Sequence, residues 1–113
     1  MAVRTFAAID VGSFELELGI YEMTYKTGIR RIDHIRHVIA LGKDTYSTGK
    51  ISYELVEEMC QVLEEFVQIM KSYKVKDYRA YATSAMREAH NRQIILDQIR
   101  VRTGLTVRII SNS

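Results

Sequence analysis

The amino-acid sequence lacks the features that mark disulfide-rich, membrane-spanning and secreted proteins. Cys60 is the only cysteine among 113 residues, which excludes an internal disulfide and a thiolate-rich metal site. No apolar segment approaches the ~18 residues needed to span a bilayer. Near the N-terminus, Asp10 interrupts the apolar run, which therefore does not match the core of a signal peptide. We expect a cytoplasmic protein with no membrane partner.

The sequence also has little excess charge of either sign. Its net charge of +2 is too small to indicate binding to nucleic acid. Basic residues form two small groups, which we interpret as solvated faces of the folded protein. These groups are Arg30, Arg31 and Arg36, and Arg100, Arg102 and Arg108. We expect no nucleic-acid partner.

What is present is the composition of an ordinary globular domain. Apolar residues make up 47% of the chain and charged residues 27%, and no repeat or low-complexity segment occurs. A chain of this length can bury one substantial core, so we expect a single domain. Cys60 lies on the apolar side of a helical pattern, and its thiol is expected to be buried and inert.

The first part of the chain predicts three strands followed by a loop. Residues 3–10 and 14–23 form two strand-like runs, and the second alternates apolar and polar side chains. Residues 29–40 have the spacing of a helix but the β-branched content of a strand, and we interpret them as a third strand. Residues 41–50 are polar and interrupted by glycine, which predicts a mobile loop.

The second part predicts helices alternating with strands. Ser52 is a predicted N-cap for a helix that runs to Met70, and residues 78–82 form a short strand. Asn91 is predicted to cap a later helix that ends at Gly104. Residues 105–110 alternate as a last strand. This order predicts an α/β fold with a mixed five-stranded sheet flanked by helices, the first three strands antiparallel and the last two parallel.

The turn after the first strand is the first candidate site. Asp10 ends an apolar strand, and an unpaired charge there costs several kcal/mol. Gly12 permits positive φ, and Ser13 adds a hydroxyl beside backbone N–H groups that can point at a phosphate. Asp10 would then hold a hard cation. The alternative is a plain β-turn in which Asp10 forms an Asx hydrogen bond. Both interpretations remain open.

The turn after the fourth strand is the second candidate site. Thr83 and Ser84 offer hydroxyls and backbone N–H donors where a strand gives way to a helix. Arg87 lies near the start of that helix, where a cation meets the wrong end of the dipole. A bound anion would remove this conflict. The alternative is a surface arginine paired with Glu88 or Asp97.

Several segments resemble the exopolyphosphatase and guanosine pentaphosphate phosphohydrolase (Ppx/GppA) family. They are IDVGS at the first turn, ALGKDTYSTGKIS in the middle, YATSAMREAHN after the fourth strand, and the tail from Thr103 to Ser111. ATSAMREA is the most specific of them, whereas IDVGS fits any actin-like ATPase. The resemblance implies a ribonuclease H-like domain of the actin-like ATPase superfamily. It also implies that residues 1–113 are an incomplete N-terminal domain, with the catalytic glutamate just past Ser113 and a second domain beyond it.

The same resemblance implies a metal-dependent hydrolase that releases terminal phosphate from polyphosphate or guanosine pentaphosphate, with Mg²⁺ as cofactor. Asp10 would lie near the metal, and no catalytic residue would lie within the chain. The implied phosphate-binding residues are Gly12, Ser13, Thr83, Ser84 and Arg87. Glu88 and Asn91 also match family positions, and we interpret them as structural, Glu88 in surface pairing and Asn91 as a helix cap.

The sequence departs from the family at Phe14 and Glu15, where an asparagine and a serine are usual. These changes replace two donors with a ring and a carboxylate, and a carboxylate repels a polyanion unless a cation intervenes. They favour an alternative, a non-catalytic module that binds polyphosphate or guanosine polyphosphate. A sugar or acetate kinase of similar fold is a third interpretation, but ATSAMREA is not expected there. The exposed last strand predicts self-association, such as a homodimer.

Overall fold

The computed structural model describes residues 3–111 as a five-stranded sheet with helices packed against it. The strands are β1 (Arg4–Val11), β2 (Glu15–Thr24), β3 (Gly28–Val38), β4 (Asp77–Ala82) and β5 (Arg108–Ile109). The helices are α1 (Leu41–Thr48), α2 (Tyr53–Ser72), α3 (Ser84–Glu88) and α4 (Arg92–Thr103). Among the described residues, no helix is both long enough and apolar enough to cross a bilayer.

The sheet is mixed, as the sequence predicts. Its strand order is β3-β2-β1-β4-β5, in which β1–β2 and β2–β3 are antiparallel and β1–β4 and β4–β5 are parallel. Residues 29–40 are confirmed as a strand that ends at Val38. β1 lies at the centre of the sheet, so Asp10 near its end faces Glu17 of β2 on one side and Tyr81 of β4 on the other.

One face of the sheet carries the core. Alternate residues of the three central strands point to this face because successive strand side chains alternate in direction. All four helices add side chains to the same buried cluster. Its members include Ala7, Ile9, Val11, Leu16, Leu18, Ile20, Leu41, Cys60, Leu63, Phe66, Ala80, Ala82, Met86, Ile95 and Ile99. The opposite face bears exposed residues such as Ala8, Asp10 and Arg79.

The predicted loop at residues 41–50 is wrong, because most of it forms α1. Leu41, Gly42 and Thr45 are buried, and the helix ends at Gly49, which adopts φ 81°. Glycine and β-branched residues are poor helix formers, so the local pattern did not indicate a helix. Contacts with the rest of the fold stabilise it instead. Gly42 N–H donates to Ser13 O at 2.7 Å, and the Thr45 hydroxyl donates to Ala85 O at 2.9 Å.

Two predicted helix ends have different outcomes. Ser52 is confirmed as the N-cap of α2, because its side chain accepts a hydrogen bond from Leu55 N–H at 3.3 Å. Asn91 precedes α4, but its side chain makes no cap hydrogen bond. Its amide instead bonds both backbone groups of Ile51, at 3.3 Å and 3.0 Å. Asn91 therefore fastens the start of α4 to the segment before α2.

Two further predictions need correction. The last strand, β5, is only two residues long, whereas the alternation of residues 105–110 predicts a longer strand. Arg102 is not on a solvated face, because it is half-buried and joins α4 to α2 through Glu57 and Glu64. Its Nη2 lies 2.7 Å from a Glu64 carboxylate oxygen, and these carboxylates raise the pKa of Arg102.

Candidate functional site

The β1–β2 turn is shaped by main-chain hydrogen bonds. Gly12 N–H donates to Glu15 O at 2.9 Å, and Ile39 N–H donates to Phe14 O at 3.1 Å. Gly12 does not adopt positive φ, so the conformational freedom of glycine is not what this turn uses. A Cβ at this position would lie 3.1 Å from Glu15 O, so the close approach of the main chain favours glycine here. This arrangement brings Ser13 close to α1 and α3.

The β4–α3 junction lies beside this turn. Thr83 N–H donates to Val11 O at 3.2 Å, which joins the junction to the end of β1. Thr83 precedes α3, and its side chain makes no cap hydrogen bond to that helix. α3 has only five residues, and its dipole is therefore weaker than that of a longer helix.

Three hydroxyl groups from three different segments meet at this place. Ser13 Oγ lies 3.2 Å from Ser84 Oγ, which directly joins the two candidate turns. Tyr46 of α1 completes the group, with its hydroxyl 3.1 Å from Ser13 Oγ and 2.6 Å from Ser84 Oγ. These hydrogen bonds lower the pKa of Tyr46, that from Ser13 most strongly. We call Ser13, Tyr46 and Ser84 the hydroxyl cluster.

Asp10 and Thr83 line an open groove of about 410 Å³ on the exposed face of the sheet. The other lining residues are Ala8, Ile9, Glu17, Gly19, Tyr21, Arg31, His34, Tyr81 and Ile110. Partial burial raises the pKa of Asp10, and the negative charge of Glu17 raises it further. The opposing carboxylates are thus an unfavourable pair, and a cation between them would lower their energy.

Glu17 already has partners within the sheet. Its carboxylate lies 2.8 Å from His34 Nε2. The His34 ring beside it favours the ionised form of this carboxylate. Of the two facing carboxylates, Glu17 is therefore the one already compensated within the sheet. Asp10 is the one available to a cation.

Arg87 does not form the ion pair that the alternative interpretation required. Its Nη1 donates to Ile110 O at 2.8 Å, and no ion pair to Glu88 or Asp97 occurs among residues 3–111. Ile110 also lines the groove that contains Asp10 and Thr83, whereas Arg87 itself does not line it. Asp97 pairs with Arg100 instead, at 3.4 Å. Glu88 is exposed, and the predicted surface pairing of Glu88 is likewise not found in the described residues.

Comparison with known proteins decides the family. Residues 20–113 match the sequence model of the Ppx/GppA phosphatase family. The chain belongs to this family. Exopolyphosphatase 1 of Mycobacterium leprae is 28% identical over 103 residues, an alignment that covers 90% of this chain and 30% of the relative. Exopolyphosphatase 1 of Mycobacterium tuberculosis H37Rv is 26% identical over 102 residues, with the same coverage.

Solved structures confirm the fold of the family. The crystal structure of the Aquifex aeolicus family member matches with a TM-score of 0.92 at 29% identity, covering 96% of this chain and 35% of that one. An exopolyphosphatase from Cytophaga hutchinsonii matches in fold with a TM-score of 0.89 at 24% identity. The predicted ribonuclease H-like, actin-like ATPase fold is thus confirmed. The chain spans about a third of the length of these relatives.

The residues present fit a magnesium ion only in a limited way. Across residues 3–111, no group of three histidine, cysteine, aspartate or glutamate side chains gathers to hold a metal. Mg²⁺ does not require such a group, because it keeps several waters and binds through one or two carboxylates together with substrate phosphates. The carboxylate of Asp10, with its raised pKa and its place in the groove, fits that mode.

Phe14 and Glu15, where the resemblance leads us to expect an asparagine and a serine, differ in environment. Phe14 is 59% exposed at the tip of the turn. The Glu15 carboxylate pairs with Arg36, whose Nη2 and Nε lie 2.5 Å and 3.0 Å away. A lone Glu15 carboxylate would repel a polyanion, and Arg36 supplies the cation that offsets its charge. The carboxylate is therefore compatible with a phosphate site beside it.

The predicted site residues fall into two adjoining groups. Ser13 and Ser84 belong to the hydroxyl cluster, whereas Asp10 and Thr83 belong to the groove. Arg87 lies in neither group, and it bonds to Ile110, which lines the groove. Sequence reasoning missed Tyr46 because its segment was interpreted as a mobile loop. The signal was nevertheless in the sequence, since ALGKDTYSTGKIS was one of the segments that resemble the family. The ligands of these residues stay a prediction.

Proposed function

We propose that the full-length protein is a cytoplasmic, metal-dependent phosphoanhydride hydrolase that releases terminal phosphate from polyphosphate or guanosine pentaphosphate. The observation that carries this proposal is the contact of Ser13 with Ser84. It joins the β1–β2 turn to the β4–α3 junction, and each of these has its own hydroxyl and main-chain donors for a phosphate. Relatives of this chain are exopolyphosphatases, which supports a phosphatase-type function.

Each residue of the site has a role in binding or orienting phosphate. The hydroxyls of Ser13, Thr83 and Ser84 donate hydrogen bonds to phosphate oxygens, and Arg87 adds positive charge at the edge of the groove. Asp10 holds Mg²⁺, directly or through water. A bound metal would supply positive charge that offsets the charge of the phosphates. The glutamate expected just after Ser113 would orient the attacking water.

A second candidate is a binding module that does not hydrolyse its ligand. The exposed ring of Phe14 favours it, because a phenyl group cannot donate a hydrogen bond to phosphate where the family has an amide. Glu15 no longer favours it, since Arg36 compensates its charge. Self-association through the short edge strand β5 also remains a prediction, for which light scattering at high protein concentration is the measurement.

The decisive experiment replaces Asp10 by asparagine in the full-length protein. Phosphate release from polyphosphate and guanosine pentaphosphate is measured with and without Mg²⁺. If Asp10 holds the metal, Asp10→Asn lowers Mg²⁺-dependent turnover by about a hundredfold or more. The control is Asp77→Asn, which changes an exposed aspartate at the start of β4, and it leaves turnover unchanged.

Two results would count against the proposal. Turnover of Asp10→Asn close to that of the unmodified protein would end the metal role of Asp10. No phosphate release by the unmodified protein, combined with measurable binding of either substrate, would favour the binding module instead.

A further inference from the structure

α1 bridges the two turns of the site through three separate residues. Gly42 N–H donates to the carbonyl of Ser13 at 2.7 Å on one side. On the other side, the buried hydroxyl of Thr45 donates to Ala85 O of α3 at 2.9 Å. Tyr46 contacts both sides at once through the hydroxyl cluster. The helix therefore sets the distance between the turns.

The approach of α1 to the first turn is as close as the side chains permit. A methyl group at Gly42 would lie 2.9 Å from Ser13 Cβ and 2.9 Å from a ring carbon of Tyr46. Real Cβ atoms essentially never come so close, because the interior is already packed at contact distance. Gly42 thus allows the Tyr46 ring to lie against the first turn and its hydroxyl to reach both serines.

The hydroxyl cluster fixes the direction of two freely rotating groups. A serine hydroxyl turns about its Cα–Cβ and Cβ–Oγ bonds and, without a partner, samples several orientations. Tyr46 carries its hydroxyl on a rigid ring, and this hydroxyl lies within hydrogen-bond distance of both serines. The Tyr46 hydroxyl can donate its single proton to one serine oxygen, and a serine that accepts it keeps its own proton free for a phosphate oxygen. That serine then meets the phosphate as an oriented donor, and less entropy is lost on binding.

We propose that Tyr46 is a positioning residue that holds the Ser13 and Ser84 hydroxyls in register for one phosphate group, with α1 as the spacer between the turns. This inference rests on the proposed phosphate site. It does not require the protein to hydrolyse what it binds.

Charge gives this role a signature that a purely structural tyrosine would lack. The charged groups that act on the Tyr46 hydroxyl are Arg87, which favours its ionisation, and Glu88, which opposes it. The serine hydrogen bonds lower the pKa of Tyr46 below its ordinary value. Ionised Tyr46 would place a negative charge against the bound phosphate. Affinity for phosphate should therefore decline at a pH where ordinary tyrosines are still neutral.

The test measures binding of methylenediphosphonate, a pyrophosphate analogue that is not hydrolysed, by calorimetry on the full-length protein with Mg²⁺. Tyr46→Phe removes only the hydroxyl, and because the side chain is 54% exposed the variant should fold normally. Loss of the aligned hydrogen bonds, about 0.5–1.5 kcal/mol, should weaken binding about twofold to twelvefold at neutral pH. The alkaline decline in affinity should disappear in the same variant. The control is Tyr25→Phe, because Tyr25 is 95% exposed in the β2–β3 hairpin.

The possible results bear on the positioning role of Tyr46 as follows. Weaker binding and a lost alkaline decline in Tyr46→Phe, with Tyr25→Phe unchanged, would establish the positioning role. Unchanged affinity and an unchanged pH profile in Tyr46→Phe would overturn it, even if the unmodified protein hydrolyses polyphosphate. If the unmodified protein binds the analogue but releases no phosphate, the hydrolase proposal fails while the role of Tyr46 is still measured. Absence of binding by the unmodified protein would overturn the role of Tyr46 as well.

Discussion

Replacing Gly42 by alanine tests the close packing of α1 against the β1–β2 turn. In an unobstructed helix, glycine to alanine stabilises the folded state by up to about 1 kcal/mol. Here the new methyl group would meet Ser13 Cβ and the Tyr46 ring at 2.9 Å each. Overpacking of this kind costs about 1–3 kcal/mol. We therefore expect Gly42→Ala to lie between neutral and about 2 kcal/mol destabilising.

The measurement is urea denaturation of the full-length protein together with binding of the pyrophosphate analogue. The Tyr46 ring can move away, but it then loses its hydrogen bonds to Ser13 and Ser84, so analogue binding should weaken as well. Gly28→Ala is the matched control. Gly28 adopts φ 71° with no atom within 4 Å of an added Cβ, so it should lose stability from backbone strain alone and keep full binding.

A double-mutant cycle identifies the ring contact directly. Tyr46→Ala removes one of the two atoms that the new methyl group would meet, so Gly42→Ala should cost less in that background. A gain of about 1 kcal/mol from Gly42→Ala in the unmodified background would refute the packing argument. It would show that α1 does not lie as tightly against the turn as described.

Three further predictions concern stability and reactivity. Arg102→Met should lower Tm more than Arg100→Met, because Arg102 joins two helices through two carboxylates whereas Arg100 makes one exposed pair at 3.4 Å; equal effects would contradict this. Cys60 is fully buried and burial raises its pKa, so a thiol reagent should label it only after unfolding. Asp10 has a raised pKa in the folded state, so its ionised form destabilises the fold. Without bound metal, Asp10→Asn should therefore raise Tm at neutral pH. The difference in Tm between the variant and the unmodified protein should vanish as pH falls below 3.8, the ordinary pKa of aspartate.

Much of the fold follows from local sequence. The alternation of residues 14–23, the cap at Ser52 and the glycine at position 104 each specify a local conformation that tertiary packing does not oppose. Gly104 adopts φ 79° and ends α4, which only glycine does without strain. Residues 29–40 are ambiguous in sequence, because their apolar residues recur at helical spacing. Pairing with β2 makes this segment a strand, and a bulge near Ile20 and Tyr21 shifts the register of that pairing.

What the sequence could not predict depends on partners distant in the chain. α1 has weak helix propensity, and it is held by Ser13 and Ala85, which lie about thirty to forty residues away. Asn91 looked like a cap because its residue type suits one, but Ile51 offered its amide two backbone partners. For the same reason the sequence predicts Ser13 and Ser84 as site residues but not Tyr46. Its serines stand in recognisable motifs, whereas Tyr46 acquires its role only through folding.

The way in which the β1–β2 turn is held also has an evolutionary consequence. Its shape rests on hydrogen bonds between main-chain groups of Gly12 and Glu15, of Phe14 and Ile39, and of Ser13 and Gly42. The side chains at positions 14 and 15 contribute no atom to these bonds. Mutation can therefore exchange donors for a ring or a carboxylate at the rim of the site while the loop keeps its path. Such a turn can change its side chains at these two positions without losing the main-chain hydrogen bonds that hold it.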